Sequence, residues 1–187
     1  SNHAITKDPA ITGRELAFTD PGSDTRVNPS VLDPAYPNNR LGDLLLHEYV
    51  HTRHDTNVMG MGDYQEGDAY ATEYFFAERT GDTVRMGEIL TLVSTSGGLT
   101  IPSLHASMQA LFRKTYATLK ILYQVIDTGT SPHPTSPLVT PTPITRDTAR
   151  ALVAELISVN ATSRSPQLNG IVTWATANYG AIGIPPI

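Results

Sequence analysis

The sequence predicts an α+β fold, mainly helical, with a small N-terminal sheet and an antiparallel pair of helices at its functional centre. Three observations lead there. Apolar residues recur at three- and four-residue spacing over long stretches, best seen in Leu104, Met108, Leu111, Phe112, Tyr116, Leu119 and Leu122. Short β-prone pieces broken by turn residues are confined to the region from Ile5 to about Asp33. Two helix-forming stretches flank one short loop, which keeps them adjacent. At 187 residues the chain fits a single domain spanning 1–187, large enough to bury an ordinary core.

Taken in order, residues 1–39 are read as the strand-bearing part. Glu15-Leu16-Ala17-Phe18-Thr19 fits a strand ended by Asp20-Pro21-Gly22-Ser23, and Thr25-Arg26-Val27 can begin its partner. An irregular N-terminal arm packed on the helices is the competing reading. Pro34, Pro37, Asn38 and Asn39 then punctuate the chain, with Asn39 the expected N-cap of a helix from about Arg40 to His54. Asp55 to Gly62 reads as a loop. A second helix comes next, from about Asp63 to Thr80, with Gly81 as its C-cap, so the helix pair occupies 40–81.

The rest, 98–187, is expected to be helical after Gly97-Gly98. A long amphipathic helix runs from Pro102 to about Ile126 and serves the core. Residues 129–143 carry prolines at 132, 134, 137, 141 and 143 and read as an extended connector. A further helix starts at Thr145 or Asp147 and ends near Val159. The tail from Gln167 to Ile187, which holds Trp174, is expected to pack back as one last short helix.

Composition narrows the partners. With a net charge of −5 and no Lys/Arg cluster, the chain has no electrostatic footprint for nucleic acid or an anionic membrane surface. No apolar run approaches the ~20 residues of a membrane span, and the N-terminus lacks the layout of a signal peptide. Ser1-Asn2 has the look of an expression remnant, so the true start could lie upstream. The sequence contains no cysteine, which removes disulfides and thiolate metal sites and leaves His and carboxylate as the strong ligands.

Against that background, Leu44-Leu45-Leu46-His47-Glu48-Tyr49-Val50-His51 stands out. Residues four apart share a helix face, so His47 and His51 can offer two imidazole nitrogens to one ion. Glu48 lies about 100° round the helix, where it can reach a water activated by the metal. Leu41, Leu44, Leu45 and Val50 supply the apolar pattern of the helix that the motif requires. Half-buried helix histidines beside a solvated Glu48 are the bland alternative.

A hydrolytic zinc site has three protein ligands and one open position. On the second helix, Glu66 and Glu73 are seven apart and share a face, whereas Asp68 and Glu78 point elsewhere. Hairpin geometry does not separate the two. Packing favours Glu66, because the residue one turn later is Ala69, while Glu73 is followed by Phe76. Glu73 then becomes an acceptor for a histidine N–H. Two rivals stay open: Asp63-x-x-Glu66 fits a capping box, which would make Glu73 the ligand, and His54 shares the face of His47. Three ligands on one straight helix would spread over roughly 10 Å, too far for a single ion.

His47-Glu48-Tyr49-Val50-His51 followed by Glu66-Gly67-Asp68-Ala69 resembles the gluzincin group of zinc metallopeptidases, in particular the compact kind found as bacterial toxin or effector modules. The likeness covers about residues 40 to 80. It implies a zincin-like fold, in which a small sheet flanks the motif helix and its edge strand holds extended substrate. It also implies one zinc ion held by His47, His51 and the Glu of a Glu-x-x-Ala pattern, here Glu66. Several members carry an Asp four residues after that Glu, where this chain has Tyr70; either Glu73 takes over the orienting role or the ligand is not Glu66.

The expected activity is hydrolysis of peptide bonds, with Glu48 as general base and Tyr70, Tyr74 or His105 as donor to the developing oxyanion. His3 and His133 have no supporting context. Protein or peptide is the expected substrate, and the module is expected to be secreted or delivered as part of a larger polypeptide, or bound by a cognate inhibitor. Two alternatives stand beside it: an amidase or endopeptidase of cell-wall peptides using the same site, and a non-catalytic binding domain stabilised by zinc.

Overall fold

A computed structural model of the chain describes residues 4–11, 17–19, 24–35, 38–53, 62–95, 102–130, 144–158, 163–185 and 187. His3, Glu15 and Leu16, the loop with His54, Gly97-Gly98, His133 and the connector from Ser131 onward lie outside the described residues.

Strands Ile5–Lys7 (β1), Ala17–Thr19 (β2) and Thr25–Val27 (β3) form a sheet in the order β1-β3-β2. β2 runs antiparallel to β3, with Ala17 opposite Val27, as the turn residues between them suggest. β1 lies at the start of the β-prone region and pairs parallel to β3 with Ile5 opposite Thr25. Along β3 the side chains alternate: Thr25 and Val27 are buried and Arg26 points out to Asp8 at 3.2 Å. A 3-10 turn, Pro29–Leu32, leads on from the sheet; the Asn28 side chain accepts from the Ser30 amide at 3.0 Å and the turn buries Val31.

Seven helices make up most of the remaining described residues. Helix α1 spans Asn38–Arg53, so Asn39 lies inside its first turn and is not the expected N-cap. Helix α2 spans Gly62–Thr80, and Gly81 ends it at φ 75°, the left-handed conformation that favours glycine at this place. The next stretch departs from expectation, since Thr83–Ser94 forms a helix, α3, where the sequence pattern predicts none. Asp82 caps it by accepting from the Arg85 amide at 2.9 Å, and Ile89 and Val93 are its buried stripe.

Helix α4, Pro102–Thr128, has 27 residues and is therefore roughly 40 Å long. Thr145 caps α5, Arg146–Leu156, by accepting from the Thr148 amide at 3.1 Å; the helix stops short of Val159. In place of the one last helix expected there are two, α6 (Pro166–Ala177), capped by Ser165, and α7 (Tyr179–Ile182). No helix among the described residues is long and apolar enough to cross a membrane. The structure is thus α+β and mainly helical.

The long helix is the hub. α4 packs against α2, α3, α5, α6 and α7, and its Met108, Phe112, Tyr116, Leu119 and Leu122 are fully or almost fully buried. From α2, Tyr74 and Phe75 join them, the Tyr74 ring standing edge-on to Tyr116 at 5.0 Å between centroids. α2 is held on its other side by α1, which in turn leans on β2 and β3.

How near α2 comes to α4 is set by Gly67. A Cβ there would sit 2.5 Å from the Met108 carbonyl oxygen and 2.9 Å from Leu111 Cβ. Gly67→Ala is accordingly expected to cost about 1–3 kcal/mol by forcing the two helices apart. Gly87, mid-helix in α3, meets nothing within 4 Å, and Gly87→Ala should instead stabilise by about 0.5–1 kcal/mol. Urea denaturation of the two variants checks this; a shift of the same sign in both would contradict the packing.

Candidate metal centre

The local sequence puts the motif on a helix that is polar on one flank and held on the other. On α1, Val50 is completely buried, Glu48 and His51 are buried, and Tyr49 faces out at 45% exposure. This places His47 and His51, one turn apart, on the side that meets α2. Their Nε2 atoms approach to 3.3 Å. Glu66, from the second turn of α2, completes the group: Oε2 lies 3.0 Å from His47 Nε2 and Oε1 lies 3.2 Å from His51 Nε2. All three residues can each offer a ligand atom within 4.8 Å of the others.

Glu73, two turns further along α2, meets the opposite edge of the same imidazole. Its Oε2 lies 3.4 Å from His47 Nδ1, a spacing closer to an ion pair than to a well-formed hydrogen bond. Its other oxygen, Oε1, accepts from Arg85 Nε at 2.6 Å and is also met by the second terminal nitrogen of that guanidinium. Glu73 is completely buried. The two glutamates that the sequence could not tell apart therefore take different edges of one ring.

The electrostatics reflect this crowding. Burial alone would depress the His47 pKa, but the polar contacts and negative charge of Glu66 and Glu73 outweigh it and lift the pKa to about 10. Burial would raise the pKa of Glu66, yet His47 and His51 hold its carboxyl well below the usual range. Three lone-pair donors this close repel one another unless a cation lies among them. In the metal-free protein a proton on His47 can serve; a metal ion serves all three at once.

The donor set fits zinc. A tetrahedral ion bound at about 2.0–2.1 Å needs its ligand atoms roughly 3.3 Å apart, and the contacts of 3.0, 3.2 and 3.3 Å are close to that. Two imidazoles and a carboxylate suit zinc better than calcium or magnesium, which take oxygen ligands. The Glu66 side chain keeps 29% exposure, so one side of the group opens to solvent.

The remaining sequence candidates scatter. Glu48 is buried on α1, and its charge bears on Tyr70. The Tyr70 ring lies against His47, 4.7 Å between centroids, and burial together with the charges of Glu66 and Glu73 pushes its phenol far above the ordinary range, so it stays a donor at neutral pH. Tyr74 points the other way, into the rings of Phe112 and Tyr116. His105, on α4, holds the Val93 carbonyl with a ring nitrogen at 2.8 Å and joins α4 to the end of α3. Asp68 turns to α4, where it accepts from Thr115. His54, the rival third ligand, lies outside the described residues.

Sequence reasoning missed Arg85, because it missed α3. The signals were Gly81-Asp82 as a stop followed by a cap, and Met86, Ile89, Leu90 and Val93 at helical spacing. A second small residue acts on the other side of α2: beside the completely buried Ala69, Gly67 permits the close approach to α4.

The charge pattern links stability and metal binding to pH. His47 is protonated in the metal-free protein up to about pH 10, so its stabilising contribution is complete below its ordinary value of 6.5 and is lost as pH rises through about 10. That of Glu66, whose pKa is depressed, is present above 4.5 and is lost on acidification. A zinc ion taken up at this site would displace the Nε2 proton of His47, so zinc affinity should rise on the order of tenfold per pH unit between about pH 7 and 9, with one proton released per ion. Calorimetry in buffers of different ionisation enthalpy measures both; pH-independent binding without proton release would contradict the assignment.

Comparison with protein-family models, with curated proteins and with solved structures finds no match to this chain, so its function has to be read from these residues.

Proposed function

We propose that this protein is a zinc-dependent metallopeptidase whose single ion is held by His47, His51 and Glu66. The observation behind this reading is the convergence of two imidazole Nε2 atoms and one carboxylate at ligand spacing, with a side open to solvent. Zinc bound there would supply Lewis acidity, polarising a scissile carbonyl and lowering the pKa of a water towards ~7.

The side chains supply the rest. Glu48, next to the first histidine, takes the proton of the attacking water and gives it to the leaving amine, the role of a carboxylate general base that becomes a general acid. Tyr70, kept protonated by burial and by its acidic neighbours, donates to the developing oxyanion. Glu73, with Oε2 3.4 Å from His47 Nδ1, would orient the ring by its charge and leave Nε2 for a metal. A zincin-like reading draws support from the packing of the motif helix against both the ligand helix and a small sheet, whose edge strand β2, in contact with α1, could pair with an extended peptide.

Protein or peptide is the substrate class this implies, with cell-wall peptides as one variety. The likeness to toxin and effector modules adds the proposal that the domain acts outside the producing cell, delivered within a larger polypeptide. A zinc-stabilised binding domain is the competing reading, and it would call for a fourth protein ligand. Among the described residues only His47, His51 and Glu66 form such a group.

Glu48→Gln should keep one zinc per chain and lower peptide cleavage about 10²–10⁴-fold. His47→Ala should lose both metal and cleavage. Metal analysis combined with cleavage of a mixed peptide library reads the two effects, and full activity in Glu48→Gln would sink the mechanism.

A further inference from the structure

Outside the group itself, the charged cluster joining α1, α2 and α3 carries the most unexplained chemistry. Glu73 is a completely buried carboxylate, and burying an anion is costly unless it is paired and hydrogen-bonded. Arg85 supplies that pairing from α3. Both contacts, from Nε at 2.6 Å and from a terminal nitrogen, fall on Oε1. Oε2 is left with no full hydrogen-bond donor among the described residues, aimed at His47 Nδ1 at 3.4 Å.

The guanidinium is itself held in place. Its other terminal nitrogen donates to Glu88 at 3.1 Å, and Glu88 in turn accepts from Arg40 on α1 at 2.6 Å. Asp43, also on α1, lies 4.0 Å from Arg85 Nε. A planar fork tied on two sides fixes the position of the oxygen it grips, which a flexible ammonium would hold less firmly.

We infer that Arg85 is a positioning residue for the metal centre: by gripping one oxygen of Glu73 it aims the other at His47 Nδ1, which selects the Nδ1–H tautomer and presents the Nε2 lone pair to the ion. The inference rests on the metal reading given above and extends it to a residue on a helix that contributes no ligand. Arg85 acts through Glu73 and makes no contact with the ion, so its removal should be felt as weaker metal binding.

Zinc affinity of the 187-residue chain, measured by competition with a chromophoric chelator, tests this in the wild type, Arg85→Gln, Arg85→Lys, Glu73→Ala and the double variant Arg85→Gln/Glu73→Ala. Arg85→Gln should bind zinc roughly 10–100-fold more weakly. Arg85→Lys, which keeps the charge but not the fork, should lose about 3–10-fold. The double variant should bind no more weakly than Glu73→Ala alone, because the route through Glu73 is already cut. Nitrogen-15 NMR of the zinc-loaded protein should show the Nδ1–H tautomer of His47 in the wild type and its loss of definition in Arg85→Gln.

Wild-type affinity in Arg85→Gln overturns the inference and leaves the metal reading intact, as do losses that multiply in the double variant. Should Arg85→Gln fail to fold by circular dichroism, Arg85→Lys decides: a several-fold loss supports the inference and unchanged affinity overturns it. A wild-type chain that binds no zinc removes the metal reading, and this inference with it.

Discussion

Helix α2 is pressed between two neighbours, and the rest of the structure depends on how it meets each. Towards α4 it offers Gly67, Ala71, Tyr74 and Phe75, and the absent side chain of Gly67 lets the backbones approach until a single Cβ would collide. Towards α1 it offers Glu66 and Glu73. A carboxylate pair facing two histidines would be a poor way to stabilise a fold by itself, since each charge loses its hydration. The apolar contact with α4 holds the helix in place, and the polar contact with α1 brings Glu66 and Glu73 to the two histidines.

The two glutamates illustrate what spacing decides and what it leaves open. Being seven residues apart, they had to share a face, and that was legible from residue numbers alone. Which one lies at Nε2 and which at Nδ1 depends on the height at which α2 crosses α1. That height is fixed by packing against α4, remote in sequence. Likewise His47, Glu48 and His51 were legible because four-residue spacing on a helix is a local rule, whereas Tyr74, one turn beyond Tyr70, could be recognised as a core residue only once Phe112 and Tyr116 were seen around it.

Helix α3 was hidden for a different reason. Gly87 and the β-branched Thr83, Val84, Thr91 and Val93 lower its intrinsic helix propensity, so tertiary contacts of Ile89 and Val93 have to stabilise it. Its omission concealed Arg85, and with it the charge that makes a buried Glu73 tolerable. Helix α2 resisted a facial reading for the opposite reason: it is buried nearly all round, with Gln65, Asp68, Thr72 and Glu73 inside as well as the apolar residues. No single apolar stripe exists on it to read.

A cation among His47, His51 and Glu66 is the central claim, since the role of every other residue is defined by it. X-ray absorption at the zinc edge, on protein loaded with one equivalent of zinc, tests it most directly. The account predicts one tightly held ion with two imidazole nitrogens and a carboxylate oxygen at about 2.0–2.2 Å, a coordination signature that changes in Glu66→Ala and persists in Glu48→Gln. Zinc that washes away from the wild type, or that is bound with the same coordination after Glu66→Ala, would contradict it.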